Sequence, residues 1–232
     1  MVELSSRSIV SVGIPGFDDL VEGGLPKGSI TAITGPTGAG KSLFALQFLY
    51  NGITNNDEPG FYISFDERKK LLYKNVARVG WNFSELEADR KFVFIEYPIH
   101  EAKEFVAQES ALFNMIVELG VERVVIDPIT PLTLLYDTNR ERRQGMMTLI
   151  NKLRSWGCTT LLVVEDGKEY NIGIEPLCDG LINLHRITRK NYIIRALEIV
   201  KMRGVAHSSK LLPFKIGPKG IEIYPNQYLF EE

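Results

Sequence analysis

The sequence predicts an α/β fold of three layers, a mainly parallel central sheet between helices, with antiparallel strands extending the sheet towards the C-terminus. Three observations carry this expectation. A strand, a glycine-rich loop and a helix follow one another between Ser29 and Tyr50. Short apolar runs then alternate with segments of helical period as far as Val164, the pattern of a parallel sheet covered on both faces. From Leu177 onward strands follow strands without intervening helices, which fits antiparallel pairing at one edge.

In chain order, residues 8–28 are dense in Gly and Pro and predict an ordered but irregular lead-in. Ser29 to Thr34 is the first buried strand, and Leu43 to Tyr50 belongs to the helix after the loop. The polar run Asn51 to Pro59 is expected to end that helix. Gly60 to Phe65 reads as a second strand, 67–79 as a helix stopped by Gly80, and Phe92 to Ile95 as a third strand. Phe105, Leu112, Ile116 and Leu119 recur at near-helical spacing, so 102–119 is expected to be one helix ended by Gly120. Arg123 to Asp127 is a fourth strand, Arg140 to Trp156 a helix before Gly157, and Thr159 to Val164 a fifth strand leading into Glu165 and Asp166. The remaining strands are Gly180 to Arg186, Tyr192 to Met202, Phe214 to Ile216 and Ile221 to Tyr224, with Arg189-Lys190-Asn191 at a hairpin tip. No repeat or low-complexity linker divides the sequence, so residues 1–232 are read as one domain, with 177–232 as the antiparallel extension.

Composition narrows the function. The 232 residues carry a net charge of −2, which argues against a general polyanion binder and makes nucleic acid an improbable partner. The opening Met1 to Arg7 lacks the apolar core of a secretory signal, and no apolar run is long enough to span a bilayer, so a cytoplasmic protein without membrane insertion is expected. Cys158 and Cys178 form no C-x-x-C pair and are read as reduced and structural.

The chemistry centres on Gly35-Pro36-Thr37-Gly38-Ala39-Gly40-Lys41-Ser42, a complete G-x-x-x-x-G-K-[ST] phosphate loop, with Leu43 opening the helix proper. Its glycines allow successive N–H groups to aim at one point, and the helix start adds its positive dipole end. Lys41 brings a mobile charge to the β- and γ-phosphates of ATP, or to the β-phosphate of ADP, and Ser42 offers a hydroxyl to Mg²⁺. Ligands of open α/β sheets bind beyond the carboxyl ends of the strands. Asp66, Glu67, Asp127 and Glu165 all follow predicted strands and should converge there. Asp127 has the position of a Walker B acid holding Mg²⁺. Asp66 and Glu67 are candidates to orient or deprotonate the attacking water, against the plainer reading of Asp66 as a helix cap. Glu165 reads as a phosphate sensor or as structural. Between Arg186 and Arg203 stand six Lys or Arg and the single acid Glu198. Lys201 and Arg203, two apart on a strand, would share a face. On composition alone they read as a solvated edge strand.

Taken together, Gly13-Ile14-Pro15-Gly16-Phe17-Asp18 with Gly23-Gly24-Leu25-Pro26, the phosphate loop, Phe61 to Glu67, Asp127, and Lys201-Met202-Arg203-Gly204 with His207 resemble the KaiC-like branch of the RecA superfamily. The resemblance implies a RecA-like P-loop NTPase core and Mg²⁺-dependent ATP hydrolysis. It also implies self-association into a ring, usually hexameric, with ATP between neighbours. The acid pair Asp66-Glu67 would serve catalysis, and Lys201 and Arg203, with His207 beside them, would reach ATP bound by the adjacent subunit. Three departures qualify it. The sequence holds one such domain where the clock proteins of the family hold two. Asp66 stands where the family usually has Glu. Pro128 follows the Walker B acid in place of a small hydroxyl residue, which implies slow turnover. The segment in which the clock protein phosphorylates itself has no counterpart. Two alternatives stay open, an ATP-dependent scaffold that scarcely hydrolyses, serving an unknown regulatory protein partner, and a recombinase-like DNA-binding ATPase.

Overall fold

The computed structural model describes residues 8–165, 173–190, 192–227 and 229. Met1 to Arg7, Asp166 and Asn191 lie outside the described residues.

The lead-in is built around one carboxylate. Asp18 accepts hydrogen bonds from Ser11 Oγ at 2.6 Å, Val12 N at 2.8 Å and Gly13 N at 3.0 Å. This closes the loop between two short strands, β1 (Ile9–Val10) and β2 (Leu25–Pro26), which pair antiparallel. The irregular lead-in is thus ordered, as its Gly and Pro content predicts.

Next come β3 (Ile30–Thr34), α1 (Lys41–Asn56), β4 (Gly60–Ser64), α2 (Lys69–Val76), α3 (Phe83–Ala88) and β5 (Phe92–Glu96). They are followed by α4 (Ala102–Ala107), α5 (Glu109–Glu118), β6 (Arg123–Asp127), α6 (Thr130–Thr133), α7 (Asn139–Ser155) and β7 (Thr159–Val163). The chain closes with β8 (Gly180–Arg189), β9 (Tyr192–Met202), β10 (Leu212–Gly217) and β11 (Gly220–Ile223). The main sheet has nine strands in the order β11-β10-β9-β8-β3-β7-β6-β4-β5. The pairs from β8 to β5 are all parallel, and those from β8 to β11 antiparallel.

Alternation along the central strands splits their side chains between two cores. Ile33, Tyr62, Val125, Leu161 and Val163 pack under α1, with Leu72 of α2 and Phe83 of α3 in the same cluster. Ala32, Phe61, Ile63, Val124, Ile126 and Leu162 pack on the other face with Phe105, Leu112, Ile116, Leu149 and Leu153 of α4, α5 and α7.

Three expectations require correction, and two helices were missed. The helix after the phosphate loop continues through most of the polar run to Asn56, because the apolar face continues to the buried Ile53 and the turn comes only at Asp57, which is left-handed at φ 58°. The expected helix over 102–119 is broken at Gln108, whose Oε1 accepts from Tyr97 Oη at 3.0 Å. Apolar spacing is kept across the break, which hid it. The strand over 180–186 runs to Arg189 and, although grouped with the antiparallel strands, lies parallel to β3. Two short helices, α3 and α6, had no periodic signal at their lengths of six and four residues.

Sequence reading also passed over Arg123, whose side chain is fully buried beneath α1. Its Nη1 donates to Phe48 O and its Nη2 to Ser11 O, both at 2.8 Å, and its Nε donates to Glu58 Oε2 at 2.6 Å. The guanidinium also sits over the Phe48 ring, 4.5 Å from its centroid. It thereby joins the lead-in, α1, the turn before β4 and β6. A Cβ on Gly52 would stand 2.1 Å from Arg123 Nε, so that helical position has no room for a side chain. Removing one partner of a buried ion pair strands the other. Arg123→Ala is therefore expected to lower unfolding free energy by about 3–5 kcal/mol in denaturant titration; a loss under about 1 kcal/mol, the value of a surface pair, would contradict this role.

Candidate functional site

Parallel strands deliver their carboxyl ends to one edge of the sheet, and the predicted acids arrive there with the phosphate loop. Thr37, Gly38, Gly40, Lys41, Ser42, Leu43, Asp66, Asp127, Pro128, Val163 and Glu165 line one cleft of about 260 Å³. The loop adopts backbone that side chains resist, with φ of 140° at Gly35, 77° at Gly38 and 108° at Gly40. Gly35 lies against β8, and a Cβ there would be 2.1 Å from Leu184 O. The buried Ala39 closes the turn by donating its N–H to Pro36 O at 3.1 Å. Gly40 is the N-cap of α1, which has no side-chain cap of its own, so the first-turn amides face the loop's interior. Lys41 Nζ curls back to Gly35 O at 2.6 Å and Pro36 O at 3.3 Å. Phosphate oxygens would compete with these carbonyls for the ammonium.

Asp127 ends β6 and is 7% exposed. Burial raises its pKa above the ordinary 3.8, opposed by hydrogen bonds from Tyr62 and Ser42 and by the charge of Lys41. Tyr62 Oη donates to Asp127 Oδ2 at 2.6 Å. The donor set of the Ser42 hydroxyl and a carboxylate is hard oxygen, suited to Mg²⁺ rather than to a soft metal. Among the described residues no group of three or more His, Cys, Asp or Glu gathers to hold a metal. Ser42 and Asp127 therefore fit Mg²⁺ that keeps waters and phosphate oxygens as its other ligands, and do not form a protein cage.

The acid pair divides. Asp66 is exposed and lines the cleft. Glu67 is half-buried and accepts from Asn75 Nδ2 at 2.9 Å. Burial raises its carboxyl above 4.5, the Asn75 bond lowers it and the charge of Asp66 raises it. Neither acid caps the next helix. Arg68 is the N-cap of α2, and Ser64 Oγ both accepts from Glu67 N and donates to Glu67 O. The helix-cap reading of Asp66 is thereby removed. Glu165 reaches the cleft from the end of β7, and its backbone N–H donates to Thr130 Oγ1 at 3.4 Å.

Lys201, Arg203 and His207 are not brought to this cleft. Gly180 pairs with both Thr31 and Met202, and Arg203 N donates to Asp179 O at 2.9 Å. They therefore stand where β3 begins, whereas the phosphate loop leaves where it ends, about 13 Å further along the strand. Lys201 Nζ donates to Glu175 O at 2.7 Å and Cys178 O at 2.8 Å, and Arg203 Nη2 to Pro176 O at 3.1 Å. The two cations share a face as their spacing predicts, although β9 ends at Met202. His207 Nδ1 lies 3.1 Å from Ser208 O. Ala206 N donates to Glu22 Oε2 and Ser208 N to Leu20 O, tying this segment to the lead-in.

The basic stretch is thus split between the two ends of one hairpin. Arg186 and Arg195 are paired across β8 and β9 beside the loop, and Arg195 Nε donates to Gly38 O at 3.3 Å. Sequence reading counted both arginines and put them on strands without relating either to the loop. A register through the hairpin would have separated them from Lys201 and Arg203. Both cysteines are free and buried, as expected, and burial pushes Cys178 up to about 12.

Comparisons with known proteins agree with this geometry. A family model described as "ATPase: KaiC" matches residues 10–228. The circadian clock oscillator protein KaiC of Synechococcus elongatus is 36% identical over 224 residues, which cover 91% of this chain and 43% of that protein. The chain thus spans less than half the length of that clock protein. A UPF0273 protein of Pyrococcus furiosus is 31% identical over 238 residues, 95% of each chain. The crystal structure of a KaiC-like protein from Pyrococcus horikoshii superposes with a TM-score of 0.84 at 35% identity, covering 94% of this chain and all of that one. The chain belongs to the KaiC family of ATPases and has its RecA-like P-loop fold.

Proposed function

We propose that the chain is a slow, Mg²⁺-dependent ATPase that works as a ring, hexameric as the family resemblance implies, with ATP held between neighbouring copies. The observation that carries this reading is strand polarity. The phosphate loop with Asp66 and Asp127 occupies one end of the sheet, and Lys201 and Arg203 occupy the other. One copy holds half of each of two sites.

In this reading the loop amides and Lys41 bind the β- and γ-phosphates. Ser42 and Asp127 would hold Mg²⁺, which when bound would neutralise phosphate charge. Asp66, the member of the acid pair facing the cleft, orients the attacking water and accepts its proton. Glu67, fixed by Asn75, supports that position. Lys201 and Arg203 of the adjacent copy stabilise charge on the transferring phosphoryl group, and His207 orders their segment. Hydrolysis thereby depends on assembly. A regulatory protein that alters the ring would control turnover.

Lys41→Ala is expected to abolish binding of fluorescent ATP, while Arg203→Ala binds within about twofold of the wild type and loses about 10²-fold or more in kcat. Mixing these two inactive variants should restore part of the activity, since some interfaces then pair an intact loop with an intact Arg203. Absence of any recovery, with mixed assemblies verified by mass, would refute a site shared between copies.

A second test concerns the acids. Asp66→Asn is expected to cost at least about tenfold in kcat and Glu67→Gln less, because general-base catalysis contributes roughly 10²–10⁴-fold. The opposite order would exchange their roles, and two unaffected variants would end the assignment. Stability gives an independent check. A carboxyl raised on folding carries a penalty that is present above its folded pKa and relieved as pH falls below the unfolded value of 4.5. Glu67→Gln should raise Tm at pH 7, and the gain should shrink towards pH 4.

A further inference from the structure

Tyr62 brings to the core a hydroxyl that its packing does not need. Tyr62 is 1% exposed, and its ring stacks on Phe94, with centroids 5.4 Å apart and planes 11° from parallel. Phenylalanine would fill the same space and bury no O–H. The hydroxyl donates to Asp127 Oδ2 at 2.6 Å, so its desolvation is met at the cleft's buried acid.

The register makes this contact. On the paired strands β4 and β6, Tyr62 stands opposite Val125 and Ser64 opposite Asp127. Tyr62 and Asp127 therefore share the face under α1, displaced by one step of the alternation, a diagonal that a tyrosine side chain spans. Asp127 is approached from two sides, by Tyr62 from the sheet and by Ser42 from the start of α1. The stacked ring cannot rotate away, and a carboxylate bonded to it through Oδ2 is held in one orientation, with Oδ1 outside that bond.

We propose that Tyr62 is a positioning residue for the metal. Its hydroxyl fixes the Asp127 carboxylate in the orientation that receives nucleotide-bound Mg²⁺ or its water. Partners behind a metal ligand set ligand orientation, and their loss typically weakens metal binding 10–100-fold. The proposal rests on the reading of Asp127 as the metal acid.

The test uses the whole chain in three variants, Tyr62→Phe, Phe94→Leu and Asp127→Asn. Mn²⁺ is titrated by electron paramagnetic resonance in the presence of ADP, and metal-free ADP binding is measured in parallel. Tyr62→Phe should bind metal-free ADP as the wild type does and hold Mn²⁺ about tenfold more weakly. Phe94→Leu, which loosens the stack and keeps the hydroxyl, should lower Tm and leave Mn²⁺ affinity within about twofold. It also guards against an effect of packing alone, since equal weakening in both variants would overturn the proposal. Unchanged Mn²⁺ affinity in Tyr62→Phe beside a weakened Asp127→Asn would overturn the role of Tyr62 and leave Asp127 in place. Unchanged affinity in Asp127→Asn would overturn the metal reading itself, and the proposal with it.

Discussion

The pairing of β8 with β3 on one side and β9 on the other is the constraint on which the rest depends. Strand direction is absolute within a ladder, and a shift by one residue would turn every side chain to the opposite face. Because β8 runs parallel to β3, its carbonyls follow the phosphate-loop strand past its end, and Leu184 O closes on Gly35. Because β9 runs back against β8, Arg195 returns to Gly38 while Lys201 and Arg203 are carried to where β3 begins. One hairpin thus buttresses the loop at one end and presents cations at the other.

Much of this was legible because it is local. The phosphate loop, the acids that follow three of the apolar strands and the glycines ending helices are written within a few residues, and the corresponding elements lie within a few positions of expectation. What escaped depends on partners distant in sequence. Arg123 reads as the first residue of a strand, yet its side chain is held by Ser11, Phe48 and Glu58, all far from it in sequence. Tyr62 reads as one apolar member of a buried strand, and only the register with β6 gives its hydroxyl a purpose. The break at Gln108 leaves hydrophobic spacing intact, so periodicity could not register it. The parallel sense of β8 follows from a crossover after β7 and leaves no mark on β8 itself.

The carboxylates of the site differ through their surroundings more than through their chemistry. Asp127 is enclosed by donors from the sheet and from α1, and Tyr62, Ser42 and Lys41 together offset only part of the cost of burying its charge. Glu67 is half withdrawn and has Asn75 as its neutral partner. Asp66 stands in the open cleft. Three acids at neighbouring strand ends repel one another, and the separation of their environments would let one face a cation while another faces water, as the proposed function requires.

The two cations that the proposed ring would present to its neighbour are not held alike. Lys201 is partly desolvated, which lowers its pKa, and its ammonium donates to two carbonyls of its own chain. Withdrawing it would leave Glu175 O and Cys178 O without that donor. Arg203 keeps one carbonyl bond and a loose 3.9 Å approach to Asp179, with its side chain 58% exposed. Exposed pairs of that kind are worth little, so redirecting the guanidinium costs little. In the proposed site both cations would reach the neighbouring phosphate, Arg203 at little cost and Lys201 only by giving up the two carbonyls it holds. That difference follows from the geometry of a single copy, because the more weakly held side chain leaves its own subunit at the smaller cost.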